Sequence, residues 1–311
     1  MQPDWTDPAW RAEVDAWVGT RLEELGLGIT GPVEQPHIRP WATALRIPTD
    51  GGDVWFKANM PGLEHEARLA AVLADRRPDC IPPLLAHDPE SGWMLMGDAG
   101  TRFREIVEAE RELTRWRDIL LLYAGVQIDL TADADALVAL GVPDIRLATL
   151  PGQTAALLAE VAELDPDTRS RVTAALPEIR ELCEELGSFG IPDTIQHDDF
   201  HDAQVYVRDG RYVLLDWGDA CVSHPFFTLA VTLDGVIAWG VDDVESSEPT
   251  EPYRDAYLTP FVAAHGGADL VAATTIARRL GWICRAVNGY LAPFESEQTG
   301  RRLRMFLDGM P

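Results

Sequence analysis

Apolar residues recur at helical spacing over residues 8–25, where Trp10, Val14, Trp17, Val18, Leu22 and Leu25 share one face. Pro8 stands near the start, where its missing N–H costs nothing, and Gly26-Leu-Gly28 stops the helix. The pattern then turns to strands. Residues 42–47 read as one strand, Asp50-Gly51-Gly52-Asp53 as a hairpin turn whose glycines supply positive φ, and residues 54–58 as the return strand. A weaker strand is expected over 32–38. A helix over 63–74 carries the stripe Leu69, Val72 and Leu73. Pro78, Pro82 and Pro83 break the chain, short strands follow at 84–87 and 93–96, and Gly97-Asp98-Ala99-Gly100 reads as a hinge.

Beyond that hinge the periodicity is mostly helical, with helices expected over 104–128, 131–140, 153–163, 167–187, 225–238, 252–265, 268–291 and 297–308. One β island interrupts them, with strands at 204–207 and 212–216 around the turn Asp209-Gly210. The expected fold class is therefore α+β and bilobal. An N-terminal lobe over 1–97 holds the leading helix, an antiparallel sheet and one helix; a larger, mostly helical C-terminal lobe over 98–311 holds the hairpin. No internal repeat is visible, and the acidic, proline-bearing stretch 246–252 reads as an exposed loop.

Composition narrows the class without naming a function. With 311 residues, 46% hydrophobic and 25% charged, the chain is an ordinary globular one. Its net charge of −25 repels nucleic acid and anionic lipid, so neither is an expected partner. The same field attracts cations, although an acidic surface also simply keeps a protein soluble. The longest apolar run, residues 119–126, is far short of the ~18 needed to span a bilayer. Cys80, Cys183, Cys221 and Cys284 form no CxxC pair and no basic-plus-apolar leader opens the sequence, so reduced, buried thiols in a cytoplasmic protein are expected. Trp116, Trp239 and Trp282 could line a pocket, but packing is the commoner role of such residues.

Two acidic clusters carry the chemistry. Gln196-His-Asp-Asp-Phe-His-Asp-Ala-Gln204 precedes the β island, and Leu214-Leu-Asp-Trp-Gly-Asp219 closes it. A hairpin brings its ends together, so Asp199 and Asp216 are expected to converge. Phosphoryl transfer needs such a pair, one carboxylate to orient a hydroxyl and take its proton and another to hold Mg²⁺ against phosphate oxygens. An amide oxygen, offered by Gln204, suits a second metal contact. Lys57 is the only lysine in the chain, and a lysine on an apolar strand is costly unless partnered.

On these residues the chain resembles the aminoglycoside phosphotransferase/choline kinase-like family, relatives of protein kinases. The family's catalytic pattern His-Gly-Asp-x-His-x-x-Asn is matched by His197-Asp198-Asp199-Phe200-His201-Asp202-Ala203-Gln204. Its metal motif, an apolar pair before Asp-Trp/Phe-Gly/Glu, is matched by Leu214-Leu215-Asp216-Trp217-Gly218. The resemblance covers about residues 35–290 and implies a protein-kinase-like fold. It also implies a small-molecule kinase using ATP or GTP with Mg²⁺. In that pattern Asp199 is the base, Asp216 and Gln204 are the metal ligands and His197 braces the loop. Lys57 binds phosphate and pairs with Glu66 on the next helix, in preference to Glu64. Adenine is expected near Leu95, Met96 and Gly97. Arg39-Pro-Trp-Ala-Thr43 lacks glycine, which leaves Thr43 as the candidate phosphate contact.

Three departures stand out: Gln204 for asparagine, Asp198 for glycine, and Thr228 where a structural aspartate is common. They motivate a second expectation, a nucleotide-binding regulatory pseudokinase. The leading one is transfer to a hydroxyl of a small molecule, with cationic aminoglycosides and amino-sugar or amine metabolites as the competing acceptor groups.

Overall fold

A computed structural model describes residues 3–266, 268–290 and 296–309. Two compact units emerge, Met1–Thr101 with Val205–Gly218, and Arg102–Gln204 with Asp219–Pro311. The hairpin expected in the C-terminal lobe thus belongs with the N-terminal residues. The Leu214 N–H donates to the Cys80 carbonyl at 2.7 Å and Arg208 Nη1 donates to the Asp98 carbonyl. Gly100, at φ +91°, lies so close to Val207 that a Cβ there has no room. Such contacts join segments a hundred residues apart and leave no local signature.

In the first unit, α1 (Pro8–Leu25) is capped by Asp7, whose side chain accepts from the Ala9 N–H at 3.2 Å, and it ends at Gly26 with φ +70°. The strands β1 (Glu34–Ile38), β2 (Ala42–Thr49), β3 (Gly52–Asn59), β4 (Leu84–Asp88) and β5 (Trp93–Gly97) form one antiparallel sheet in the order β1-β2-β3-β5-β4. Alternation decides the faces. Leu45, Ile47, Val54, Phe56 and Leu95 pack against Val14, Val18 and Leu22 of α1. Met94, next to Leu95, instead packs with Ala67 and Ala70 of α2 (His65–Arg76). Lys57, next to Phe56, is turned away from the α1 core by the same period.

The second unit holds α3 (Phe103–Glu110), α4 (Trp116–Asp129), α5 (Ala134–Ala139), α6 (Leu150–Glu160) and α7 (Pro166–Ser188), then α8 (Glu251–His265), α9 (Leu270–Asn288) and α10 (Ser296–Asp308). The single helix expected over 104–128 is broken at Arg111, φ +57°, which lets the Phe103 and Trp116 rings meet edge-on at 5.6 Å. Thr194–Gln196 and Cys221–Ser223 form an unforeseen two-stranded antiparallel sheet, Gln196 opposite Cys221. The helix expected over 225–238 is instead a string of short turns, Pro225–Phe227, Ala230–Asp234 and Ile237–Trp239. Thr232 there gives its hydroxyl to the Phe200 carbonyl at 2.7 Å, and a Cβ at Gly281 of α9 would fall 2.6 Å from the Phe227 carbonyl. Tertiary contact overrides helical periodicity in this stretch. Residue 291, at the expected end of α9, lies outside the described residues.

Trp116 and Trp282 are core residues, the four cysteines are free and buried, and among the described residues no helix is long and apolar enough to cross a membrane. His224 caps Pro225–Phe227, its Nδ1 accepting from the Phe226 N–H at 3.3 Å, and it is completely buried against two phenyl rings. Burial pushes this imidazole down to about 3. Below about pH 6.5 the unfolded chain takes up a proton that the native one refuses until about pH 3. His224 should therefore cost about 1.4 kcal/mol of stability for each pH unit in that window. Denaturant titrations between pH 7 and 4 should show the slope, and His224→Asn, which keeps an acceptor for Phe226, should flatten it.

Candidate active site

The first unit gathers three of the expected residues around one ammonium group. Lys57 on β3 places Nζ 2.7 Å from Glu66 Oε1 of α2 and 2.6 Å from Asp216 Oδ1 at the end of the hairpin. Burial by itself would lower the Lys57 pKa; the two carboxylates outweigh it and hold the amine above its ordinary value, fully charged. Glu66 is 4% exposed in its side chain, so it needs full compensation, and Asn59 Nδ2 supplies the rest at 2.5 Å from Oε2. Asn59 was not singled out beforehand, although it sits two residues from Lys57 and so on the same face of β3. Gly218 fits the same spot, since a Cβ there would approach Glu66 Oε2 to 3.3 Å. Asp216 itself adopts φ +63°, and its side chain remains 51% exposed. Aspartate is one of the few non-glycine residues that tolerate this left-handed conformation.

Thr43 does not belong to this group. It is completely buried on β2, its hydroxyl donating to the His37 carbonyl at 2.8 Å and accepting from Gln35 Nε2 at 2.9 Å. Both contacts fasten β1 to β2, so the hydroxyl is already committed. The Leu95 side chain lies wholly within the core against α1, and Met96 packs with the residues under α2.

The second unit carries the loop that follows Gln196. Its backbone is held from below by α4. The His197 N–H donates to the Tyr123 hydroxyl at 2.8 Å, Phe200 stacks on Tyr123 at 4.2 Å, and Trp116 meets Phe200 edge-on at 5.7 Å. Gln127, buried on the same helix, donates to the Ile195 and Pro225 carbonyls at 3.0 and 3.2 Å and accepts from the Tyr257 hydroxyl. His197 is fully buried, its ring beside Phe200. The loop is thus a rigid strap over a packed aromatic floor.

Asp199 projects from this strap. Its Oδ1 lies 2.8 Å from Arg285 Nη2, and its Oδ2 lies 3.4 Å from both Gln204 Nε2 and His201 Nε2. His201 Nδ1 accepts from the Ala203 N–H at 3.1 Å, and this sets the ring with Nε2 toward Asp199. Arg104 clamps the neighbouring Asp202 through two nitrogens at 3.0 and 2.6 Å. Burial would raise the Asp199 pKa; the Arg285 guanidinium more than offsets it and holds the carboxyl well below the usual range. Asp199 is therefore ionised at neutral pH. Arg285, eighty-six residues away in sequence, left no motif by which it could be foreseen.

Among the described residues, no three His, Cys, Asp or Glu side chains gather into a metal cage. Mg²⁺ does not require one, because it favours one or two carboxylates completed by water and phosphate oxygens. The half-exposed carboxylate of Asp216 fits that chemistry.

Residues 43–270 match the phosphotransferase enzyme family, APH. No curated protein matches the sequence. Solved structures do share the fold. Choline kinase from Cryptosporidium parvum Iowa II aligns with TM-score 0.64 at 11% identity, covering 95% of each chain. The GDP and kanamycin complex of APH(2")-IIia aligns with TM-score 0.60 at 14% identity, over 95% of this chain and 98% of that one. The macrolide 2'-phosphotransferase MphH from Brachybacterium faecium aligns with TM-score 0.55 at 21% identity, over 93% and 98%.

Proposed function

The chain belongs to the phosphotransferase enzyme family, and from that premise we propose that it transfers the γ-phosphoryl group of ATP to a hydroxyl of a small, positively charged molecule. One observation carries the reading: a fully charged Lys57 held between Glu66 at 2.7 Å and Asp216 at 2.6 Å. A buried glutamate that fixes an ammonium beside a half-exposed aspartate makes a phosphate-binding device, because the ammonium keeps its charge and its place.

In the proposed reaction the acceptor oxygen bonds to the γ-phosphorus as the bond to the ADP oxygen breaks. Asp199 orients the hydroxyl and takes its proton. A carboxylate with a depressed pKa is adequate, since the transition state is loose and little proton removal is needed before transfer. Lys57 engages phosphate oxygens. Asp216 and Gln204 are the proposed ligands of Mg²⁺, which when bound neutralises charge on those oxygens. The amine-bearing acceptor is supported by the net charge of −25 and by the kanamycin and choline named in the related structures. Nothing in the family match favours the regulatory pseudokinase.

The test is ADP release from ATP and Mg²⁺ with kanamycin or choline as the acceptor and glucose as an uncharged control. At least one cationic acceptor should raise release about tenfold or more over water, glucose should not, and the stimulation should weaken with added salt. Stimulation by glucose alone would remove the cationic acceptor, and no ATP turnover with any of them would remove the kinase.

A further inference from the structure

Position 198 lies where the family pattern carries glycine, and its φ of +64° is the reason a glycine suits it. The aspartate here brings a carboxylate that is 1% exposed, and a buried charge must be compensated. Two neutral amides already serve it, Gln196 Nε2 at 3.1 Å from Oδ1 and Asn288 Nδ2 at 2.9 Å from Oδ2. Arg285 adds a third contact, Nη1 to Oδ2 at 3.4 Å.

The same nitrogen of Arg285 lies 2.9 Å from Asp219 Oδ2, while Asn288 Nδ2 also donates to the Asp219 carbonyl at 2.6 Å. Two carboxylates thus grip one edge of the guanidinium. Its other amine points at Asp199 Oδ1, 2.8 Å away. Arg285 is itself only 7% exposed, so it has little rotamer freedom. Compensation of Asp198 does not require the Asp199 contact, which is made by a different nitrogen and is the shorter of the two.

We propose that Arg285 is the positioning residue of Asp199, locked in place by Asp198 and Asp219. By holding Oδ1 at 2.8 Å, the guanidinium fixes the carboxylate plane, with Oδ2 turned toward Gln204 and His201. The aspartate at 198 is then a working part of the loop: it anchors the residue that aims the base. This inference rests on the reading of Asp199 as that base.

The test compares Arg285→Met, Arg285→Lys, Asp198→Gly and the double variant Asp198→Gly/Arg285→Met in the full chain, with Asp199→Asn alongside. Turnover is read as ADP release from ATP and Mg²⁺ with kanamycin or choline, or with water as acceptor if neither stimulates. Arg285→Met leaves Asp198 buried with no cation beside it and risks misfolding. The double variant removes both charges, and its glycine suits the backbone at 198. We expect kcat to fall at least tenfold in the double variant, with the Kd for ATP within twofold of the parent. Arg285→Lys should recover part of the loss, because it returns the charge without the two-edged grip. Asp198→Gly alone should cost less than Arg285→Met, since Asp219 still holds the guanidinium. A kcat within twofold of the parent in Arg285→Met or in the double variant would overturn the proposal. If Asp199→Asn also keeps its turnover, the base assignment itself fails; if only the Arg285 variants do, the positioning role alone falls.

Discussion

Replacing Asp199 with asparagine should lower kcat by about 100- to 10,000-fold while ATP binding persists. Asparagine keeps the shape of the side chain and an oxygen that accepts hydrogen bonds, so the loop has no reason to rearrange. What it loses is the negative charge proposed to orient and deprotonate the hydroxyl. Arg285 retains Asp219 at 2.9 Å and Asp198 at 3.4 Å, so its buried cation stays compensated and the fold should hold. The groups proposed to meet the nucleotide phosphates, Lys57 and Asp216, are untouched. The separating measurement is kcat against the Kd for ATP. Turnover within tenfold of the parent would mean that the proton goes elsewhere, and a large loss of ATP affinity would mean that Asp199 is structural.

Lys57→Met should be damaging twice over, once to activity and once to stability. Losing one preorganised cation at a phosphate costs about 100- to 1,000-fold in turnover. Methionine fills the space but leaves Glu66, with its side chain 4% exposed, supported by Asn59 alone. Removing one partner of a buried ion pair typically costs about 3–5 kcal/mol, because the remaining charge has no compensation. Asp216 suffers less, since half of its side chain already meets solvent. The two effects can be separated with Lys57→Met/Glu66→Gln. A neutral amide at 66 still accepts from Asn59, so the unfolding midpoint in urea should largely recover while kcat stays low. If activity returned with stability, the ammonium would be only a structural counter-charge, and the phosphate-binding role would fall.

Much of the first unit was legible because its signals are local. The helical spacing from Trp10 to Leu25 and the stop at Gly26 depend only on residues a turn apart. So does the Asp209-Gly210 turn, where both residues take positive φ. A lone lysine on an alternating apolar strand demanded a partner, and Glu66 on the next helix met that demand. Other expectations failed where distant residues decide. The helical pattern over 225–238 yields to the Thr232–Phe200 hydrogen bond and to the close approach that Gly281 permits. Thr43 has the right chemistry for a phosphate contact, but β1 takes its hydroxyl.

From the sequence by itself came the periods, the turns, the two acidic clusters and the rarity of lysine, all properties of neighbouring residues or of simple counts. Only the tertiary structure decided that the hairpin packs with the N-terminal residues, that Asn59 supports Glu66, and that Arg285 reaches Asp199 from α9. Those outcomes depend on which buried charges and backbone groups find compensation across long stretches of chain. Desolvation makes that pairing obligatory, yet it prescribes the chemical kind of partner and leaves its position to the packing of the whole.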